Sequence, residues 1–256
     1  MAPPPDGHGT GYASWHPLDG DGCGKSRRGT GKARAPAGFD PADDARDQSY
    51  LKTVKPRTAN QEALMAAIDA HPLTIAVGPA GTGKTYLAVT KAVEALTAGR
   101  VGRVVITRPV VEAGESLGFL PGDINDKMDP WMRPIYDALA DRVGARQVRQ
   151  MVKDGTVEVA PLAYMRGRTL SRSFVVVDEA QNMTYPQIKM LLTRLGWHST
   201  MVVTGDPDQT DLLPELSGLT EAARRLEPLD GVAVVHLTTA DIVRHPLVAA
   251  MMPLLA

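Results

Sequence analysis

LTIAVGPAGTGKT occupies residues 73–85. Five residues of strand-forming character run into three glycines spaced through six positions, and the stretch ends in Lys-Thr. GPAGTGKT (78–85) satisfies G-x-x-x-x-G-K-[ST] in full, behind an apolar strand and ahead of a helical pattern, TYLAVTKAVEALTAG (85–99). The plain alternative is a glycine turn joining a strand to a helix. Strand, loop and helix in the required order favour a phosphate-binding loop instead. Gly78, Gly81 and Gly83 let the backbone curl with N–H groups inward, flanked by Pro79, Ala80 and Thr82. The helix N-terminus adds positive potential. Lys84 reaches the β- and γ-phosphates, and Thr85 offers a hydroxyl to Mg²⁺.

Such a loop needs a second strand ending in a carboxylate, and FVVVDEAQN (174–182) supplies one. Asp178 is placed to hold Mg²⁺ through a water. Glu179, next to it, can polarise an attacking water as general base. A kinase of small molecules has no general need of that glutamate, because its acceptor brings the nucleophile. Glu179 therefore points to hydrolysis of ATP. Another buried strand leads into VVTGDPDQ (202–209), where Thr204 and Gln209 are candidates to sense the γ-phosphate. Gly205, Asp206, Pro207 and Asp208 read equally as turn formers. Gln181, two residues past Glu179, is a candidate for a coupling role. Upstream, Thr58 and Gln61 in PRTANQEALMAAI have the spacing of a capping box. The same Gln61 is placed to read the adenine edge, and the residues alone leave both readings open.

Short apolar runs recur along the chain: LTIAV, VVIT (104–107), VEVA (157–160), FVVVD (174–178), TMVVT (200–204) and VAVVHL (232–237). Continuous runs of this length suit strands buried on both faces. Helical patterns lie between them. In TYPQIKMLLTRLG (184–196), Thr184 caps, Pro186 sits in the first turn and Gly196 stops the helix. Strand alternating with helix predicts an α/β fold: a three-layer α/β/α phosphate-loop NTPase domain with a mostly parallel sheet. Residues 1–50, rich in Gly, Pro, Asp and Ala, read as a disordered or low-complexity tail, and residues 51–256 as the ATPase domain. The basic patch GKSRRGTGKAR (24–34) in that tail imitates a phosphate loop but follows no apolar strand; it reads as solvated, or as a weak tethering arm.

The net charge of −1 advertises no polyanion partner, so any nucleic-acid surface must be local. The single cysteine, Cys23, forms no internal disulfide. The first residues lack the apolar core of a signal peptide, and no apolar run approaches the roughly 18 residues that span a bilayer. The expectation is a cytoplasmic protein with no membrane partner. PLVAAMMPLLA (246–256) reads as a terminal helix packed on its own domain or a neighbour.

GPAGTGKT, DEAQ and GDPDQ, with an upstream glutamine, resemble the first motor domain of superfamily 1 helicases. A closer resemblance is to the PhoH family of phosphate-loop ATPases. It is carried by TRPVVEAGESLGFLPGDINDKMDPWMRPIYDAL (107–139), PLAYMRGRTL (161–170), VVVDEAQNMT (175–184), VTGDPDQTDL (203–212) and RHPLV (244–248), and covers about residues 54–250. It implies ATP and Mg²⁺ as cofactors and Gln61 as an adenine contact. A helicase has a second motor domain that supplies an arginine across the nucleotide, and none is expected within this chain. In a homo-oligomer, a hexameric ring being one form, each subunit can present an arginine to its neighbour; Arg244 is the first candidate, against an ordinary surface or capping role.

YMRGRTLSR (164–172) sets Arg166, Arg168 and Arg172 beside Tyr164 ahead of the acidic strand, where related motors contact single strands. Arginine on phosphate with an aromatic for stacking is the chemistry of single-strand binding. Arg108, ending VVITR, is similarly placed. A solvated basic loop, or arginines paired to carboxylates, is the alternative. DKMDPWMRPIYDAL (126–139) packs inside or forms a subunit contact. The function expected is a Mg²⁺-dependent ATPase coupled to RNA or single-stranded DNA. The second reading is an ATP-dependent switch or assembly factor acting on a protein, and the third a small-molecule kinase.

Overall fold

The computed structural model describes residues 54–109, 124–243 and 246–251. The expected tail with its basic patch, and Arg244, lie outside the described residues.

Six parallel strands form one sheet: β1 (Leu73–Val77), β2 (Arg103–Arg108), β3 (Val157–Pro161), β4 (Ser173–Val177), β5 (Thr200–Gly205) and β6 (Val232–His236), in the spatial order β3-β2-β4-β5-β1-β6. The helices are α1 (Ala59–Ala70), α2 (Lys84–Thr97), α3 (Ile124–Val143), α4 (Ala145–Lys153), α5 (Tyr185–Leu192), α6 (Leu219–Leu226) and α7 (Pro246–Met251). Parallel strands joined by helices must have both faces covered. One face packs Ala76, Val104, Ile106, Val176 and Val202 against α1 to α4, through residues such as Leu64, Leu87, Ile135 and Val148. The other packs Ile75, Val105, Val175, Val177 and Val203 against α5 and α6, through Ile188, Leu191 and Leu219. The three-layer α/β/α arrangement expected from the sequence is the one observed.

The central strands β1, β4 and β5 are buried along their length, as their apolar runs demand. The expectation of two buried faces fails for the outer strands. β6 is half-buried to exposed throughout, and β3 is buried only at Val157 and Ala160. Both lie at the sheet edges, where the covering layers thin out. α2 ends as expected: Gly99 takes φ 68° and Arg100 N–H donates to the Ala95 carbonyl at 2.9 Å. α5 stops at Leu192, short of Gly196, because the next residues are drawn aside. Arg194 C=O accepts from Leu170 N–H at 2.8 Å, and Gly196 N–H donates back to Leu170 C=O at 3.1 Å. Of the stretch 126–139, Met132, Ile135 and Leu139 on α3 pack inside, each contributing roughly 2 kcal/mol by area removed from water, while the side chain of Trp131 lies outside the described ones. At α7 the described side chains Leu247, Val248 and Met251 are exposed.

The strand order decides the site. β5 lies between β1 and β4, with Val77 registered to Gly205 and Val177 to Val203. The glycine loop after β1, the Gly205–Gln209 turn after β5 and the acidic pair after β4 therefore emerge side by side at one sheet edge. Ligands of open α/β sheets bind outside the carboxyl ends of the strands.

Candidate functional site

A cleft of about 720 Å³ opens at this edge, lined among others by Gln61, Gly81, Lys84, Thr85, Asp178 and Glu179. The volume suits a nucleotide-sized ligand. Its floor is the glycine loop. Gly78 holds φ 153°, and a Cβ there would lie 2.3 Å from the Leu237 carbonyl oxygen, so only glycine fits. Gly83 takes φ 84° at the N-cap of α2 and turns the chain into the helix. Lys84 is 8% exposed, and its Nζ donates to the carbonyls of Gly78 at 2.6 Å and Pro79 at 2.8 Å. Burial pushes this ammonium below its ordinary value, while the negative charges of Asp206, Glu179 and Asp178 pull it back up.

Thr85 Oγ1 donates to Asp178 Oδ1 at 2.6 Å, and Thr204 Oγ1 donates to the same oxygen at 2.9 Å. Asp178 N–H is tied to the Thr107 carbonyl at 2.9 Å. Two hydroxyls thus hold the carboxylate, and its backbone is fixed to the end of β2. A hydroxyl and a carboxylate in contact, both hard oxygen donors, fit Mg²⁺, which takes one or two carboxylates and completes its shell with waters and phosphate oxygens. Thr204 is fully buried beneath Asp178, so it orients the carboxylate and does not reach the cleft as a sensor.

Glu179 follows in a left-handed backbone conformation, φ 52°. Both of its carboxylate oxygens are engaged. Oε1 accepts from Arg108 Nη2 at 3.3 Å, and Oε2 accepts from Gln181 Nε2 at 2.5 Å. Gln181, 1% exposed, also donates to the Gln209 carbonyl at 3.2 Å, and its Oε1 accepts from Asp206 N–H at 3.1 Å. One buried amide therefore joins the segment after β4 to the turn after β5. Gln209 itself is exposed and lines the cleft.

Gln61 serves the cap and also reaches the glycine loop. Its N–H donates to Thr58 Oγ1 at 3.2 Å and its Oε1 accepts from Arg57 N–H at 2.8 Å, which closes the start of α1. Its Nε2 donates to the Thr82 carbonyl at 3.0 Å, which fastens that helix to the glycine loop at the cleft wall.

The arginines separate. Arg108 ends β2 next to β4 and turns onto the acidic pair, with Nη1 3.9 Å from Asp178 Oδ2. Arg168 pairs with Glu158 of β3 through two bonds, at 2.5 and 2.7 Å. Tyr164 and Arg166 are exposed at the carboxyl end of β3, on the cleft side of the sheet. Arg172 lies at the opposite sheet edge: its N–H donates to the Trp197 carbonyl at 2.9 Å and its carbonyl accepts from Gly102 at 2.8 Å. The expected cluster is corrected accordingly. The segment 164–172 crosses the sheet from one edge to the other to begin β4, and so carries its arginines apart.

Two contacts were not legible beforehand. Asp206 Oδ2 accepts from Ala80 N–H of the glycine loop at 2.8 Å, although GDPD reads as a plain turn. Val243 N–H donates to Gly81 C=O at 3.0 Å, bringing the segment after β6 onto the loop. That segment is held by Asp241, whose carboxylate accepts from Asn60 Nδ2 at 2.8 Å and Thr238 N–H at 2.7 Å.

Comparison with known proteins follows this geometry. The PhoH-like protein of Bacillus subtilis (strain 168) is 52% identical over 199 residues, 77% of this chain and 62% of its own length. That of Mycobacterium tuberculosis (strain ATCC 25618 / H37Rv) is 53% identical over 199 residues, covering 77% and 56%. Protein PhoH of Escherichia coli (strain K12) is 45% identical over 206 residues, covering 79% and 58%. The chain thus spans somewhat over half the length of these relatives. Among solved structures it is similar to the large terminase of the thermophilic bacteriophage D6E, with a TM-score of 0.49 and 12% identity over 77% of this chain and 49% of that one. It is also similar to the Sulfolobus solfataricus SWI2/SNF2 ATPase core in complex with dsDNA, at 0.42 and 14% over 74% and 46%. The model of the PhoH-like protein family matches residues 53–256, and with relatives of this identity the chain belongs to that family.

Proposed function

We propose that this chain binds ATP with Mg²⁺ and hydrolyses it, and that hydrolysis is coupled to RNA or single-stranded DNA. The observation that carries the reading is the Thr85–Asp178 contact at 2.6 Å beneath the glycine loop, with Glu179 adjacent in the cleft. In this reading Gln61 reads the adenine edge at the cleft wall. The N–H groups of residues 81–85 cradle the phosphates, those of Gly78 and Ala80 being bonded to Gly205 and Asp206, and Lys84 exchanges two loop carbonyls for phosphate oxygens. Mg²⁺, when bound between Thr85, Asp178 and the phosphates, supplies charge neutralisation of the transferring group. Glu179 accepts a proton from the attacking water. Gln209 senses the γ-phosphate and passes its state through Gln181 to Glu179. An arginine from a neighbouring subunit of a homo-oligomer completes the site, with Arg244 the residue to test. The single cysteine supports a cytoplasmic setting.

One observation favours a protein client as the second reading. Arg168 is committed to Glu158 and Arg172 faces the opposite edge, which leaves Tyr164, Arg166 and Arg108 for nucleic acid. Steady-state ATP hydrolysis with and without single-stranded RNA, beside Glu179→Gln, decides. Stimulation that the variant abolishes supports the nucleic-acid reading. Glu179-dependent turnover indifferent to RNA moves the assignment to a protein client. Turnover no higher than in the variant removes the catalytic role of Glu179.

A further inference from the structure

Hydrogen bonds held by a carboxylate orient it and lower its basicity, and both oxygens of Glu179 carry one in this state. Gln181 holds Oε2 at 2.5 Å and Arg108 holds Oε1 at 3.3 Å. The two restraints differ in kind. Gln181 is 1% exposed and bonded on both sides, which makes it a fixed part of the interior. Arg108 has a side chain 17% exposed and stands at the carboxyl end of β2, between the acidic pair and the end of β3.

The register shows what lies outward of it. Arg108 is paired with Pro161 of β3, three residues before Tyr164, a residue 57% exposed, and five before the exposed Arg166. Neighbouring strands are about 4.8 Å apart. Glu179, Arg108 and the Tyr164–Arg166 turn therefore stand in sequence along one sheet edge, each about one strand further from the nucleotide. A phosphodiester offers a guanidinium the same two-oxygen acceptor that a carboxylate does, with full negative charge. Exchanging one for the other keeps Arg108 paired.

We propose that Arg108 restrains Glu179 in the resting site, and that a phosphodiester of single-stranded nucleic acid lying along Tyr164 and Arg166 draws Arg108 away and frees Glu179 Oε1 for the attacking water. The inference rests on the ATPase reading above and names how its site is controlled. Arg108 is then a positioning residue that exchanges Glu179 for the strand, and binding of the strand and activation of water are one event.

The test uses the full chain with Arg108→Ala and Arg108→Lys. Three quantities are read: ATP turnover without RNA, turnover with saturating oligo(U), and anisotropy of fluorescein-labelled oligo(U). Melting temperature establishes that each variant is folded, and the lysine variant, which keeps the charge and loses the fork, serves if the alanine variant does not fold. Arg108→Ala is expected to turn over ATP faster than wild type without RNA, by about fivefold or more, the lower end of ordinary coupling between sites. It should lose RNA stimulation and bind oligo(U) more weakly, with Arg108→Lys intermediate in all three. Unchanged or slower basal turnover in the folded variants, beside an RNA-stimulated wild type, overturns the restraint while leaving the ATPase reading intact. Acceleration in Arg108→Ala with a wild type indifferent to RNA overturns the phosphodiester as the displacing group, and the nucleic-acid coupling with it. No turnover in any protein above Glu179→Gln overturns both readings.

Discussion

Glu179 occupies a backbone conformation, φ 52°, that costs a residue with a Cβ energy, and it does so at the acid to which the proposed function gives the attacking water. Strain of order 1–3 kcal/mol persists only where the surroundings over-determine it. Here they do: Asn182 N–H donates to the Glu179 carbonyl at 3.0 Å, and both side-chain oxygens are bonded. A second acid is held in a similar way behind the cleft, in the segment after β6. Hydrogen bonds from Asn60, Thr58 and Thr238 hold the Asp241 carboxyl at about 2, below its ordinary 3.8. The folded state therefore prefers the anion. Its stabilising contribution is complete above pH 4 and is lost as pH falls through about 2. Asp241→Asn should lower stability near neutral pH by roughly 1.5–3 kcal/mol, the worth of hydrogen bonds to a charged group. Melting curves of the two proteins recorded from pH 7 down to pH 2 should converge at the acid end. Curves that stay parallel would show that the charge of Asp241 contributes nothing.

At the scale of elements, the segment between β4 and α5 is pinned to the start of α6, and the pin is glycine. Gly218 N–H donates to the Met183 carbonyl at 2.8 Å, and a Cβ at this position would lie 2.3 Å from Tyr185 N. Ser217 Oγ and Thr210 Oγ1 both donate to the Gln181 carbonyl, at 2.8 and 3.0 Å. The first turn of α5, closed by Thr184 N–H on Gln187 Oε1 at 2.8 Å, stands directly against this contact. A methyl group there must push backbone, not a flexible side-chain end. Gly218→Ala is expected to cost about 2 kcal/mol or more of stability, in the range of overpacking, and to lower ATP turnover by moving Gln181 off Glu179. Denaturant unfolding and turnover measured on the same preparation check this. A loss of stability with turnover unchanged would separate α5 from the catalytic segment.

At the scale of the whole molecule, the cleft gathers residues from α1, the loops after β1, β4 and β5, and the segment after β6. A ligand bound there ties together elements far apart in sequence and binds the folded state alone. Mass action then stabilises by about 2.7 kcal/mol at a hundredfold excess over Kd. For a domain of this size that is a rise in melting temperature of roughly 5–10 °C. Mg²⁺ with a non-hydrolysable ATP analogue should produce such a shift in the wild type and a much smaller one in Lys84→Ala. The measurement is a thermal melt against analogue concentration. Equal shifts in both proteins would place the bound phosphates away from Lys84.

The sequence by itself determined whatever is written contiguously. The phosphate loop, the strand ending in Asp178 and Glu179, and the alternation that makes an α/β sheet are local patterns whose geometry follows from backbone rules over a dozen residues. Gln61 was legible as a cap for the same reason, its partners Arg57 and Thr58 being within four positions. What only the tertiary structure decided depends on strand order, which the need to cover both sheet faces settles and no single segment encodes. That order puts β6 and β3 at the edges and leaves them partly exposed. It carries Arg172 to the far edge, commits Arg168 to Glu158, and sets Asp206 on Ala80 across 126 positions. It also lays Arg108 on Glu179 across 71 positions. A charge declares its sign in the sequence, but its partner is chosen by which strand ends beside it.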